Sequence, residues 1–206
     1  MERGGEIAAR WEEETEEGGV GMDKGAESYR RFLAGDADGL TELVAAYYDG
    51  LVLFLLPVAG SQETAEDLAE DTFLRLCLKK PRYKNEASFR TWLYTIARHL
   101  AVDYCRKNKK TVPQAEPRRE MDAAQWDTVA NVCIREEDRQ TVRRAMEALR
   151  PEYTQILLLT YFEEVSNREA AKILKKSVHA VENLNYRARN ALRAQLEKEG
   201  FVYENL

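Results

Sequence analysis

A cluster of cationic and aromatic residues in the middle of the chain has the chemistry of a single-stranded nucleic-acid site. Cations neutralise the phosphate backbone, and aromatic rings stack on unpaired bases for about 1–3 kcal/mol per base. The cluster surrounds a polar loop at residues 81–87 and consists of Tyr83, Lys84, Asn85, Arg90, Tyr94, Arg98, His99, Tyr104, Arg106, Lys107, Lys109 and Lys110. Phe89 and Trp92 fall on the apolar stripe of a helix, so we predict that they are core residues.

Residues 166–193 carry the pattern of a helix-turn-helix. Ser166 and Glu169 fit a capping box at the start of a short first helix, and Ser177 can cap a second. The polar face of the second helix suits a major groove, where Asn183 can address adenine with two hydrogen bonds. The residues expected to contact DNA are Lys176, Ser177, His179, Asn183, Tyr186, Arg187 and Arg189. A helical hairpin with a solvated polar face is the alternative interpretation.

Five acidic residues crowd another predicted helix, which Ser61 would cap and which runs from Gln62 to about Leu78. They are Glu63, Glu66, Asp67, Glu70 and Asp71. Acidic side chains near a helix N-terminus are favoured by the helix dipole. For such a run taken alone, a solvated face is the favoured interpretation and a binding surface the alternative.

The sequence has no pattern typical of catalysis or of metal binding. It lacks a glycine-rich phosphate loop, a nucleophile elbow and an H-E-x-x-H motif. The two histidines, His99 and His179, fall in different predicted domains. The cysteines, Cys77, Cys105 and Cys133, are too widely spaced for a local metal site. We therefore predict no catalytic residue, no metal, no cofactor and no small-molecule substrate.

The elements that carry these residues are predicted to be helical throughout, because apolar residues recur at three- and four-residue intervals. We predict an all-α protein with two helical domains, residues 28–110 and 136–199. A flexible, proline-containing linker at 111–135 joins them, and 200–206 form a C-terminal tail. No apolar run reaches the roughly 18 residues that span a bilayer, which predicts a cytoplasmic protein.

The net charge of −5 at first argues against nucleic-acid binding, but the charge is unevenly distributed. Residues 1–27 hold nine acidic and three basic residues, whereas residues 28–206 hold 27 acidic and 28 basic ones. The acidic, glycine-rich segment is typical of disorder. Residues 17–19 can be encoded by a purine-rich ribosome-binding sequence ahead of Met22. Translation from Met22 is therefore a hypothesis, in which residues 1–21 would not be native.

Several stretches of the chain resemble conserved regions of the RNA polymerase sigma factors of the extracytoplasmic-function group. Residues 88–98, Ser-Phe-Arg-Thr-Trp-Leu-Tyr-Thr-Ile-Ala-Arg, are similar to the second region of that family, as are 65–74 and 101–103. Residues 149–153 and 187–192 are similar to its fourth region. The resemblance spans both predicted domains in the family's order.

This resemblance implies a non-enzymatic factor that binds core RNA polymerase and promoter DNA. The acidic helix would dock on the polymerase clamp through Glu63, Glu66, Asp67, Glu70 and Asp71. The first domain would open the minus-ten element and hold a flipped base in the loop at 83–88. The residues expected to contact that element are Tyr83, Lys84, Asn85, Arg98, His99 and Arg106. The helix at 179–189 would read the minus-thirty-five element. An anti-sigma factor, which could be membrane-anchored, would cover these surfaces until a signal arrives.

Departures from the family fall on the contact surfaces. Glu70 stands where glutamine is usual, Cys77 where tryptophan is usual and His99 where asparagine is usual. Residues 182–185, Glu-Asn-Leu-Asn, replace a Lys-Ser-Arg-Leu run, so the promoter sequence of better-known family members cannot be transferred to this chain.

Two other classes of function explain the sequence less completely. A stand-alone helix-turn-helix regulator would leave residues 28–110 without a role and would not bind core polymerase, and a helical enzyme lacks a site.

Overall fold

The computed structural model describes residues 23–108 and 136–200, and every regular element in these ranges is helical. The first range contains α1 (Lys24–Leu33), α2 (Asp38–Ala59), α3 (Gln62–Lys79) and α4 (Phe89–Asn108). The second contains α5 (Glu136–Glu147), α6 (Pro151–Leu157), a π-helical turn (Leu158–Phe162), α7 (Asn167–Leu174) and α8 (Val178–Lys198). The all-α prediction is confirmed. The predicted linker and residues 201–206 lie outside the described residues.

The first domain begins earlier than the sequence predicted. We expected disorder through residue 27, but α1 starts at Lys24 because Asp23 caps it. Asp23 Oδ1 accepts from the backbone N–H groups of Gly25 and Ala26 at 3.1 and 3.2 Å. Its Oδ2 accepts from the N–H of Phe89 at 2.6 Å, so one carboxylate caps α1 and α4 together. Residues 1–22, including the hypothetical start at Met22, lie outside the described residues.

Helix α2 forms the centre of the first domain and packs against α1, α3 and α4. Residues 51–55 of this helix are each at most 2% exposed. By length and hydropathy alone α2 could cross a membrane, with a mean hydropathy of 1.6 over its most apolar window. That is a weak indication, because the core helix of a soluble protein meets the same criteria.

Four aromatic rings close the end of the first domain around the start of α4. Phe89 is fully buried and Trp92 is partly buried, and their ring centroids lie 5.4 Å apart. Tyr29 and Tyr83 complete the cluster at centroid distances of 5.3 and 5.2 Å from Trp92. The prediction that Phe89 and Trp92 are core residues is confirmed.

In the second domain, α6, α7 and α8 pack together, with α5 against α8. Pro151 opens α6 at the first helical position, where its missing N–H has no intrahelical partner to lose. Residues 156–159 are buried across the junction of α6 and the π-helical turn.

The two domains lie against each other in the described structure. Helix α6 and the π-helical turn pack on α2, and α7 packs on α4. Their apolar residues form one continuous core. The buried Gln155 side chain of α6 donates to the Phe54 carbonyl of α2 at 3.1 Å, which ties the centres of the two domains together.

Candidate nucleic-acid and polymerase interfaces

The helix-turn-helix is built by two capped helices and a tight turn. The Ser166 side chain accepts from the N–H of Glu169 at 3.3 Å, and the Glu169 carboxylate accepts from the N–H of Ser166 at 3.2 Å, which completes the predicted capping box. Lys175 adopts a left-handed conformation with φ of 51° and ends α7. Ser177 then caps α8 by accepting from the N–H of Ala180 at 3.2 Å, as predicted.

One face of α8 is held in the core and the other is exposed. Val181 and Ala188 are fully buried, so the helix is fixed in rotation. All seven predicted duplex-contacting residues are exposed at the turn and along the outer face: Lys176, Ser177, His179, Asn183, Tyr186, Arg187 and Arg189. Lys176 has its Nζ 3.4 Å from Glu152 Oε1. The Asn183 amide nitrogen lies 3.1 Å from His179 Nε2, one turn earlier on the same face of α8.

The acidic surface of α3 is continuous and includes apolar residues. Glu63, Asp67, Glu70 and Asp71 are exposed, whereas Glu66 is partly covered and accepts from the Gln62 side chain at 2.7 Å. The same surface continues at Leu74 and Leu78, which are 52% and 69% exposed. Sequence reasoning missed these two leucines, although their spacing from Asp67 and Asp71 at intervals of seven places them on that surface.

The residues predicted to contact a single strand divide between a loop and α4. Lys84 and Asn85 are exposed in the loop, where Asn85 adopts a left-handed conformation with φ of 54°. Arg98 and His99 are partly buried on α4. Arg106 is exposed near the end of α4 and pairs with Asp103 at 3.2 Å.

Tyr83 does not fit its predicted role in base stacking. Its ring is 5% exposed and lies inside the aromatic cluster, and its hydroxyl donates to the Ala87 carbonyl at 2.6 Å. The ring therefore supports the loop from the core side and is not exposed for stacking on a base. Sequence reasoning failed here because a residue in an irregular loop has no periodicity that separates inside from outside.

The second domain lies close to Arg98 and His99. Burial lowers the pKa of Arg98, and Glu152 of the second domain opposes that shift. Burial also lowers the pKa of His99, and Lys175 of the second domain lowers it further. His99 Nε2 is buried without a hydrogen-bond partner. Charged groups of the second domain, Glu152 on α6 and Lys175 at the end of α7, thus influence both residues.

Among the described residues, no cluster of histidine, cysteine or acidic side chains could hold a metal ion. Cys77 is partly buried in α3, and the Cys105 thiol donates to the Val58 carbonyl at 3.5 Å. Cys133 lies outside the described residues.

Two family descriptions match the chain. Sigma-70 region 2 matches residues 43–111, and Sigma-70, region 4 matches residues 139–192. The matches fall on the two helical domains, in the order expected for a factor that directs RNA polymerase to promoters.

Relatives of known class cover most of the chain. The RNA polymerase sigma factor YlaC of Bacillus subtilis is 29% identical over 162 residues, covering 78% of this chain and 94% of the relative. The ECF RNA polymerase sigma factor SigC of Mycobacterium tuberculosis is 32% identical over 139 residues, covering 66% of this chain and 72% of the relative. The chain belongs to the extracytoplasmic-function (ECF) group of RNA polymerase sigma factors. It binds RNA polymerase and directs promoter-dependent initiation of transcription.

Solved structures share the fold. CnrH, in a complex with the cytosolic domain of CnrY, aligns with a TM-score of 0.56 at 22% identity, covering 85% of this chain and 97% of CnrH. The sigma factor RpoE of Bartonella quintana, in a complex with the anti-sigma factor NepR, aligns at 0.57 and 18% identity, covering 76% and 96%. The relatives are sigma factors, which are not enzymes and which act on cytoplasmic RNA polymerase.

Proposed function

We propose that the chain divides promoter recognition between its two domains, with α8 reading the minus-thirty-five duplex and the first domain holding the opened minus-ten strand. The observation that carries this proposal is the outer face of α8. Its polar and cationic side chains are exposed while Val181 and Ala188 lock the helix, as groove reading requires. Asn183 would address a base, and Arg187 and Arg189 would neutralise phosphates.

The minus-ten strand would bind along the loop and α4. Lys84, Arg98 and Arg106 supply positive charge, and Asn85 and His99 supply hydrogen-bonding groups. His99 replaces the asparagine usual in the family, so the base preference at its contact would differ from that of better-known members.

The acidic surface of α3 would dock on core polymerase. Exposed carboxylates steer a basic partner surface and set its register. Leu74 and Leu78 would add the apolar contact at the centre of that interface, since large exposed apolar side chains are typical of protein-binding surfaces.

Three finer assignments complete the proposal. The chain would act in the cytoplasm, at the nucleoid when bound to polymerase, and without catalysis or a cofactor of its own. An anti-sigma factor would cover its surfaces, by analogy with CnrH bound to CnrY and RpoE bound to NepR.

Run-off transcription with purified core polymerase tests the division of labour. A genomic fragment library transcribed by the reconstituted holoenzyme should yield promoters with one shared element near minus ten and another near minus thirty-five. Substitutions in α8 should change only the upstream element, and substitutions at His99 only the downstream one. Promoters that share no upstream element would contradict the role of α8.

A further inference from the structure

A carboxylate of the second domain is inserted into the first domain. Glu163 follows the π-helical turn, and its side chain is 17% exposed. Its Oε2 lies 3.3 Å from Arg90 Nε of α4, and Arg90 Nη1 donates to the Glu163 carbonyl. The hydroxyl of Tyr94, which is fully buried, lies beside the same carboxylate. A mostly buried carboxylate is costly unless a cation pairs with it, and Arg90 is the cation beside Glu163.

Gly50 provides the space that admits Glu163. It lies inside α2, where glycine is destabilising by roughly 0.5–1 kcal/mol relative to alanine. A β-carbon at this position would overlap the Glu163 carboxylate and the Tyr94 hydroxyl. Its conformation is helical, so the missing side chain, and not an unusual backbone, is what position 50 requires.

The same docking holds the loop that would receive the single strand. Lys172 Nζ of α7 donates to the Glu86 carbonyl in that loop at 3.0 Å. Ser88 and Thr91 at the start of α4 donate to Glu169 Oε1 at 2.8 and 3.0 Å. Glu169 therefore caps its own helix with one oxygen and binds the first domain with the other.

In the docked arrangement, the second domain contacts one of the two proposed DNA-binding surfaces and leaves the other exposed. The loop at 83–88 is tied to α7, which also packs on α4, and Arg98 and His99 of α4 are partly buried. The outer face of α8, in contrast, stays exposed.

We propose that Glu163, seated beside Gly50 and Arg90, is the latch of a closed conformation that ties down the loop of the single-strand site, partly buries Arg98 and His99, and leaves the duplex-reading face of α8 accessible. The inference rests on the proposed assignment of those two surfaces. Core polymerase would have to separate the domains before the minus-ten strand can bind. If the closed form makes up about 90–99% of the free chain, binding of single strands is weakened about 10- to 100-fold.

The test compares Glu163→Lys with Glu164→Lys in the full chain. The two substitutions change the net charge by the same amount at adjacent positions. Glu164, however, is exposed and is not one of the latch residues Glu163, Arg90 and Gly50. Small-angle scattering gives the radius of gyration, and anisotropy gives the affinity for fluorescein-labelled random-sequence DNA, either single-stranded or as a hairpin duplex. Glu163→Lys should enlarge the molecule and tighten single-strand binding about 10- to 100-fold beyond Glu164→Lys, with equal duplex affinity.

Arg90→Ala provides a second opening variant, judged by size alone because Arg90 also belongs to the predicted single-strand cluster. Arg30→Ala, at an exposed position of α1, is its control. Arg90→Ala should expand the molecule even where Glu163→Lys loses helicity by circular dichroism. Unchanged size in both opening variants, with unchanged single-strand affinity in Glu163→Lys, would overturn the latch. So would a wild-type chain already as large as the opened variants.

The two proposals fail separately. If the holoenzyme initiates at promoters but the opening variants behave like wild type, the latch is wrong and the proposed function stands. If the opening variants expand but no variant binds single strands, the domains do latch but the assignment of the single-strand site is wrong.

Discussion

At the scale of single residues, Asn183 is the side chain on which base reading by α8 depends most. It is exposed, and its amide nitrogen lies 3.1 Å from His179 Nε2. Asn183→Ala should reduce discrimination between the preferred and a mismatched minus-thirty-five element by about 1–3 kcal/mol. Arg187→Ala, one turn further on, should weaken binding to all sequences alike and lower its salt dependence. Equal losses on every sequence from both variants would argue against groove reading, and competition binding to the two elements measures the difference.

Trp92 distinguishes a core role from a stacking role within the aromatic cluster. Its ring packs on Tyr29, Tyr83 and Phe89. Trp92→Ala should lower the free energy of unfolding by about 3 kcal/mol, the low end for buried aromatics because the ring is only partly buried. Tyr186→Ala, whose ring is 60% exposed, serves as the control and should change stability by no more than about 0.5 kcal/mol. Urea denaturation measures both. A stable Trp92→Ala protein that fails to open promoters would reassign the ring to stacking.

At the scale of elements, α3 presents most of its carboxylates to solvent. Asp67 is exposed near the middle of the acidic surface. Asp67→Lys should abolish co-elution with core polymerase in size-exclusion chromatography, since it reverses a charge at the proposed interface, and the circular dichroism spectrum should not change. Glu197→Lys makes the same charge change at an exposed position of α8 and should leave co-elution intact. Normal co-elution of Asp67→Lys would move the polymerase interface away from α3.

The caps of the helices set the stability of each domain locally. Ser166→Ala should cost about 0.5–2 kcal/mol, because the N–H of Glu169 loses its acceptor and α7 loses its capping box. Ser61→Ala removes the equivalent cap from α3 in the first domain. Hydrogen exchange should therefore speed up in α7 for the first variant and in α3 for the second. Duplex binding should weaken only for Ser166→Ala, because α7 supports α8.

At the scale of the whole molecule, closure should depend on pH through two groups with opposite effects. Burial raises the pKa of Glu163, and Arg90 and Tyr94 oppose the shift only in part. Because the docked pKa exceeds the ordinary value of 4.5, protonation favours docking. The contribution of Glu163 protonation to closure is complete below pH 4.5, and it is lost as the pH rises through the pKa that Glu163 has in the docked form.

His99 acts in the opposite direction. Burial lowers its pKa from the ordinary value of 6.5, and the nearby cations Lys175, Arg98 and Arg75 outweigh Asp103. Docking brings Lys175 close, so protonation of His99 favours the open form, and closure weakens as the pH falls from that value through the docked pKa. Acidification should therefore compact the His99→Asn chain and expand the Glu163→Gln chain in small-angle scattering. The same sign of change in both variants would contradict this assignment.

Much of the local structure could be predicted from the sequence. The caps at Ser61, Ser166 and Ser177, the apolar stripe with Phe89 and Trp92, and the all-α class follow from contacts between residues a few positions apart. Such contacts leave a periodic or positional pattern in the chain. The resemblance to sigma factors was carried by the longest of these local patterns, residues 88–98, and the family is confirmed.

The sequence by itself thus determined the all-α class, the caps at Ser61, Ser166 and Ser177, the order of the two domains and the family. Only the tertiary structure decided that Tyr83 is buried, that Asp23 caps two helices, and that Gly50 makes room for Glu163. Asp23 and Phe89 are 66 positions apart, and Arg90 and Glu163 are 73 apart. No periodicity links residues at such separations, because their proximity arises from the packing of whole helices and not from the geometry of one.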